Sequence, residues 1–178
     1  MSISNKSSKR SKIVSEQATF KDAVVIERIF EASVELVWQM WADPNHFKHW
    51  YGPHGFTVPV ANMDVQVGGQ RLICMEMQTP NGSQKMWTVG EFVEIVPNVR
   101  LVYTESISDE NGNVLSPTAQ GMPEGTPATT RVTVVLEDLD GRTKMTMTHA
   151  GVPADSGGAG GWRQAFEKLA VYLESNLG

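Results

Sequence analysis

An α+β fold, a curved antiparallel sheet of about seven strands around a long C-terminal helix with two short helices after the first strand, is what this sequence predicts. Three observations point there. A β-branched run opens the ordered part of the chain, residues 57–150 alternate and are cut by turn pairs, and the last segment carries apolar residues at helical spacing. The 178 residues suffice for one domain with a sizeable core and are too few for two ordinary ones.

Residues 1–21 read as a disordered basic tail, and residues 22–178 as the folded domain. Lys6, Lys9, Arg10, Lys12 and Lys21 face only Glu16 in the tail, a charge of +4, so the net −5 of the chain leaves −9 on the body. The tail has almost no apolar periodicity and reads as a solvated leader. The acidic body would repel phosphate backbones, which argues against a nucleic-acid partner.

Ala23-Val24-Val25-Ile26-Glu27-Arg28-Ile29-Phe30 is the first strand. Ser33 is an N-cap, Glu35 suits the positive end of the helix dipole, and Val34, Val37, Trp38 and Trp41 recur at helical spacing. Asp43-Pro44 starts a second short helix reaching about Trp50, closed by Gly52-Pro53. Gly68-Gly69, Asn81-Gly82, Pro97-Asn98, Asn111-Gly112 and Asp140-Gly141 then separate strands near 57–66, 70–79, 84–96, 99–107, 129–138 and 142–150. The connections are short, so neighbours should be antiparallel. Residues 109–128 read as a mobile loop and Gly157–Gly161 as a flexible lead. Trp162, Phe166, Leu169, Leu173 and Leu177 give the last helix one apolar face.

Several classes of chemistry are disfavoured. Cys74 is the only cysteine, so no internal disulfide forms and a reducing, cytoplasmic setting is the expectation. The chain shows no apolar run of about 20 residues and no secretory h-region, so no membrane insertion is expected. His46, His49 and His54 lie close in sequence, but a structural metal site needs three or four convergent ligands, and an exposed polar helix end is the plainer reading. Cys74 sits mid-strand among apolar residues and reads as inert. No G-x-S-x-G elbow, H-E-x-x-H pair or P-loop appears. No catalytic residue, metal or cofactor is assigned.

Candidate binding residues can be named by position. Alternation in strand 70–79 puts Arg71, Ile73, Met75 and Met77 on the inward side, and Leu72, Cys74, Glu76 and Gln78 on the other. The two methionines suit either a filled core or an adaptable apolar wall. Trp87, Tyr103, Trp162 and Phe166 come from separate elements that such a fold gathers, with Trp50 near the mouth. Arg71 and His149 are the candidate polar anchors, and either could instead pair structurally with an acidic group.

The order of elements resembles the helix-grip fold of the START-like (SRPBCC) superfamily, and the motifs narrow it. Val37-Trp38-Gln39-Met40-Trp41-Ala42-Asp43-Pro44, Trp50-Tyr51-Gly52-Pro53, Asp64-Val65-Gln66-Val67-Gly68-Gly69, Gly90-Glu91-Phe92 with Glu94-Ile95-Val96-Pro97, and Gly161-Trp162 with Lys168-Leu169 together resemble the heat shock protein 90 ATPase activator homologue-like family over about residues 22–177. The resemblance implies a cavity between sheet and C-terminal helix, a small apolar ligand of lipid or steroid type, or a protein partner in a chaperone-assisting, stress-response role. A ligand-transforming enzyme of the same fold is the third reading. The true co-chaperone carries an additional N-terminal domain, which this chain is expected to lack.

Overall fold

The structure, a computed structural model, describes residues 22–176. The basic segment 1–21 and Leu177 lie outside the described residues. Strand β1 (Ala23–Phe30) leads through Ser33, whose side chain accepts from the Leu36 N–H at 3.3 Å, into α1 (Val34–Ala42). Asp43 caps the next helix, α2 (Pro44–Phe47), by accepting from the Asn45 N–H at 2.9 Å. Six strands follow: β2 (Phe56–Met63), β3 (Gln70–Thr79), β4 (Gly82–Val96), β5 (Arg100–Ser108), β6 (Thr130–Asp138) and β7 (Thr143–Ala150), before α3 (Gly157–Ser175).

The strands form one antiparallel sheet in the order β1-β7-β6-β5-β4-β3-β2. Its concave face carries Arg71 and Ile73 of β3, Phe92 of β4, Leu101 and Tyr103 of β5, Val132 and Val134 of β6, and Met145, Met147 and His149 of β7, all buried. Trp41, Trp50, Trp162 and Phe166 from the helices and the α2–β2 segment cover that face, with ring centroids 4.8 to 6.2 Å apart. Apolar burial on this scale is the main term holding helix to sheet.

The sheet bends where β4 crosses β5. A register shift falls between Phe92 and Glu94, and a Cβ on Gly90 would overlap the Thr104 carbonyl oxygen. Only glycine allows that backbone approach.

Two segments differ from the sequence expectation, and the loop between them is more structured in detail than the sequence shows. The second helix stops at Phe47 and continues as a turn to Trp50. Residues 109–128 contain hydrogen-bonded turns: Asp109 accepts from the Asn111 and Asn113 N–H groups, the Leu115 N–H donates to Ile107, and Thr118–Gln120 forms a 3₁₀ turn. The glycine run 157–161 is helical rather than a flexible lead. Glycine disfavours a helix by roughly 1 kcal/mol per residue relative to alanine, and tertiary packing overrides this. A Cβ on Gly158 would lie 2.9 Å from Val152 Cγ1, and one on Gly161 3.2 Å from Pro53 Cγ.

The Gly90→Ala variant should lose about 3 kcal/mol of stability, because β4 and β5 must separate to admit the methyl group. Urea unfolding checks this; a midpoint matching the parent would refute the close-approach account.

Candidate functional site

A pocket of about 230 Å³ opens between the sheet and the N-terminal half of α3. The segment after α2 supplies Tyr51, Gly52, Pro53 and Phe56; Met75 and Met86, paired across β3 and β4, form one wall; Gly157, Gly158, Gly161, Trp162 and Ala165 form the helix side. Tyr51, Glu105 and His149 are the ionisable residues among its lining.

The glycines of α3 are what leave this volume open: larger side chains at 158 and 161 would meet Val152 and Pro53, both of which line the same pocket. Lys168 fixes the opposite rim. Its ammonium donates toward the carbonyls of Tyr51, Gly52, Pro53 and Phe56 at 3.1 to 3.4 Å. Partial burial lowers its pKa from the usual lysine value. The His54 N–H also donates to Gln164 Oε1 at 3.0 Å, and His54 Nε2 lies 2.8 Å from Glu167 Oε2. The segment 51–56 is thereby held to one face of α3.

Beneath the pocket lies a buried polar group of four side chains. Arg71, 1% exposed, places its guanidinium 3.8 Å from the Tyr103 ring centroid and 5.6 Å from that of Phe47. Its Nη1 donates to Glu105 Oε2 at 3.4 Å, and the Tyr51 hydroxyl donates to the same oxygen at 3.1 Å. Glu105, with its side chain 14% exposed, bridges this group to the pocket. Burial, reinforced by Glu105, raises the Tyr51 pKa well above the usual value, so Tyr51 remains a phenol. Burial likewise raises Tyr103, against the opposing effect of Arg71.

His149 is fixed at both nitrogens. The Trp162 indole N–H donates to Nδ1 at 3.0 Å, and an indole can only donate, so Nδ1 is unprotonated and the proton sits on Nε2. Nε2 lies 2.8 Å from the Thr130 hydroxyl, which donates onward to the Glu105 carbonyl at 3.1 Å. Burial lowers the His149 pKa; Glu105 opposes that effect and Arg71 adds to it. A neutral imidazole with both nitrogens engaged positions its neighbours and offers no free acid or base.

Of the residues singled out from sequence, Met75, His149 and Trp162 line the pocket. Trp50, Arg71, Ile73, Tyr103 and Phe166 lie in the core below it, fully buried. Trp50 is not at the mouth; its indole donates to the Met40 carbonyl at 3.0 Å, and Tyr51 occupies the rim. Met77 pairs with Phe56 and Gln84 beyond the pocket. Trp87 belongs to the other face of the sheet: it pairs with Cys74, whereas its neighbour Met86 pairs with Met75 and faces the pocket. Cys74 is buried there, and burial raises its thiol pKa. His46 Nδ1 lies 2.9 Å from the Tyr172 hydroxyl and His49 stacks on the Tyr172 ring at 5.0 Å, so these histidines dock α2 and its following turn onto α3. Among the described residues no group of three or more His, Cys, Asp or Glu side chains is placed to hold a metal, and no helix is long and apolar enough to cross a membrane.

Sequence reasoning missed Glu105. The signal was available: β5 alternates, so a residue two positions from inward-facing Tyr103 shares its face. Tyr51 was missed because its ring faces inward only through the turn that Lys168 holds.

A curved antiparallel sheet gripping a long helix over an apolar pocket defines a helix-grip protein. The chain belongs to the family described as Activator of Hsp90 ATPase homolog 1-like protein, whose pattern matches residues 31–174. Similar solved structures include a protein from Arthrobacter aurescens, with 26% identity, a TM-score of 0.67 and 86% of each chain covered. Another, from Staphylococcus epidermidis, has 20% identity and a TM-score of 0.69, covering 89% of this chain and 93% of that one. The AHSA1 protein of Silicibacter pomeroyi has 18% identity and a TM-score of 0.64, covering 86% of this chain and 99% of that one. No curated protein matches the sequence.

Stability should fall as pH drops below the unfolded histidine value of 6.5, because the unfolded chain then takes up a proton that buried His149 resists. The loss continues down to the folded-state pKa, at up to about 1.4 kcal/mol per pH unit for this one group. Unfolding curves at successive pH values should show a smaller loss for His149→Gln; an identical pH profile in the two proteins would remove His149 as the cause.

Proposed function

We propose that this protein binds a small, largely apolar molecule, lipid- or steroid-like in its carbon skeleton, in the pocket between sheet and α3. The observation that carries this reading is a preformed cavity of about 230 Å³ whose walls are methionine, valine, aromatic, proline, glycine and alanine apart from Glu105 and His149. Apolar walls with few fixed polar groups are the usual composition of small-molecule sites. The volume lies below the ~300–1,000 Å³ of pockets for drug-sized ligands, which favours a compact ring system or short chain over a large lipid.

Native mass spectrometry of protein purified from its own host, compared with the denatured mass, tests this directly: a bound apolar molecule supports the reading. The Met75→Trp variant should fill the pocket, weakening binding of the recovered ligand by more than about tenfold while the fold persists at a cost of ~1–3 kcal/mol. Circular dichroism checks the fold, and unchanged affinity in a folded variant would displace Met75 from the site.

A second reading follows from the family description, assistance to the Hsp90 ATPase, with contact through the outer sheet face or residues 109–128. Val93, Val96 and Val99, exposed around the β4–β5 turn, favour an outer contact surface. An Hsp90 ATPase assay tests it, and no stimulation at saturating protein would reject it.

A further inference from the structure

The pocket's polar chemistry is one-sided. Each side-chain donor in its wall is already used within the protein: the Tyr51 hydroxyl by Glu105, the Trp162 indole by His149, and His149 Nε2–H by Thr130. Both bonds to the Glu105 carboxylate fall on Oε2, so Oε1 makes no hydrogen bond to a described residue. The first-turn N–H groups of Gly157 and Gly158 belong to exposed residues, open to water at the rim. A ligand that enters therefore meets an unused acceptor and no unused side-chain donor.

The charge on that acceptor is compensated from behind. Arg71 lies 3.4 Å from Glu105, is 1% exposed and does not line the pocket. Glu105 itself lines the pocket, but Arg71 directly behind it offsets the carboxylate charge and His149 is neutral, so an ammonium group gains little net attraction for the hydration it loses on entry. An anion would face Glu105 before it could approach Arg71. A neutral hydroxyl or N–H meets neither penalty and forms a charge-assisted bond, stronger than a neutral one.

We propose that the pocket selects uncharged apolar molecules bearing one hydroxyl or N–H donor, which is taken by Glu105 Oε1. This rests on the small-molecule reading above and adds the ligand's chemical class. A molecule that presents only acceptors, such as an ether or a ketone of the same size, leaves Oε1 buried without a partner, which is where the discrimination arises.

Four probes of one ring system test it: 2-naphthol, 2-methoxynaphthalene, 2-naphthoate and 2-naphthylmethylammonium, titrated at pH 7 against the full chain and followed by the amide shifts of Gly158 and Gly161. Naphthol should bind at least about tenfold more tightly than the methyl ether, with both charged probes weaker than naphthol. The Arg71→Met/Glu105→Gln double variant, which leaves neither charge unpaired, should reduce the naphthol preference to below about threefold, since a neutral amide is the weaker acceptor. Equal binding of naphthol and its ether, tightest binding of either charged probe, or a full naphthol preference in a folded double variant would each overturn the proposal while leaving a small-molecule pocket in place. If none of the four binds, the pocket reading falls and this proposal falls with it. The four titrations on the parent protein decide the matter even if the double variant does not fold.

Discussion

A guanidinium buried at 1% exposure is the constraint around which the rest of the molecule is arranged. Arg71 sits on the concave face of the sheet, where an isolated charge would be prohibitively costly. Its Nη1 reaches Glu105, while the faces of Tyr103 and Phe47 lie against its Cζ, and its Nε and Nη2 have no hydrogen-bond partner among the described residues. Those requirements fix the relative placement of β3, β5 and α2. They also place a carboxylate at the floor of the pocket, in a position where a purely structural ion pair becomes part of a binding wall.

The helix side answers a different requirement. An α3 rich in alanine and leucine would be a better helix, but it would close the space that Gly158 and Gly161 keep beside Val152 and Pro53. The lost helix propensity is offset by contacts that only the folded chain makes: the Lys168 ammonium on four carbonyls, Gln164 and Glu167 on His54, and Tyr172 between His46 and His49. The same segment, 51–56, is thus both the pocket rim and the part most tightly tied to the helix. The cavity persists because its walls are supported from outside, by polar contacts on the far side of α3 and of the rim, and its interior is not called on to hold itself open.

Much of this was legible in the chain. The caps at Ser33 and Asp43, the turn pairs that separate the strands, and the apolar face of the last helix are local signals that the structure follows closely. Alternation in β3 put Arg71 and Met75 on the inner face. Trp87 was misplaced for a definite reason: an aromatic residue in a strand reads the same on either face until its cross-strand partner is known, and pairing with Cys74 turns it outward. The glycine run was misread because propensity is local, while the packing that makes it helical is not.

By itself the sequence determined the class of fold, the order of its elements and the apolar character of its core, since capping, turn chemistry and periodicity act over a few residues. Tertiary structure alone decided that Glu105 joins Arg71 and Tyr51, that His149 is held neutral by Trp162 and Thr130, and that the aromatic residues divide between a filled core and an open pocket. The polar contacts join residues 13 to 54 positions apart in the sequence, and their chemistry depends on register and burial, which no local pattern encodes.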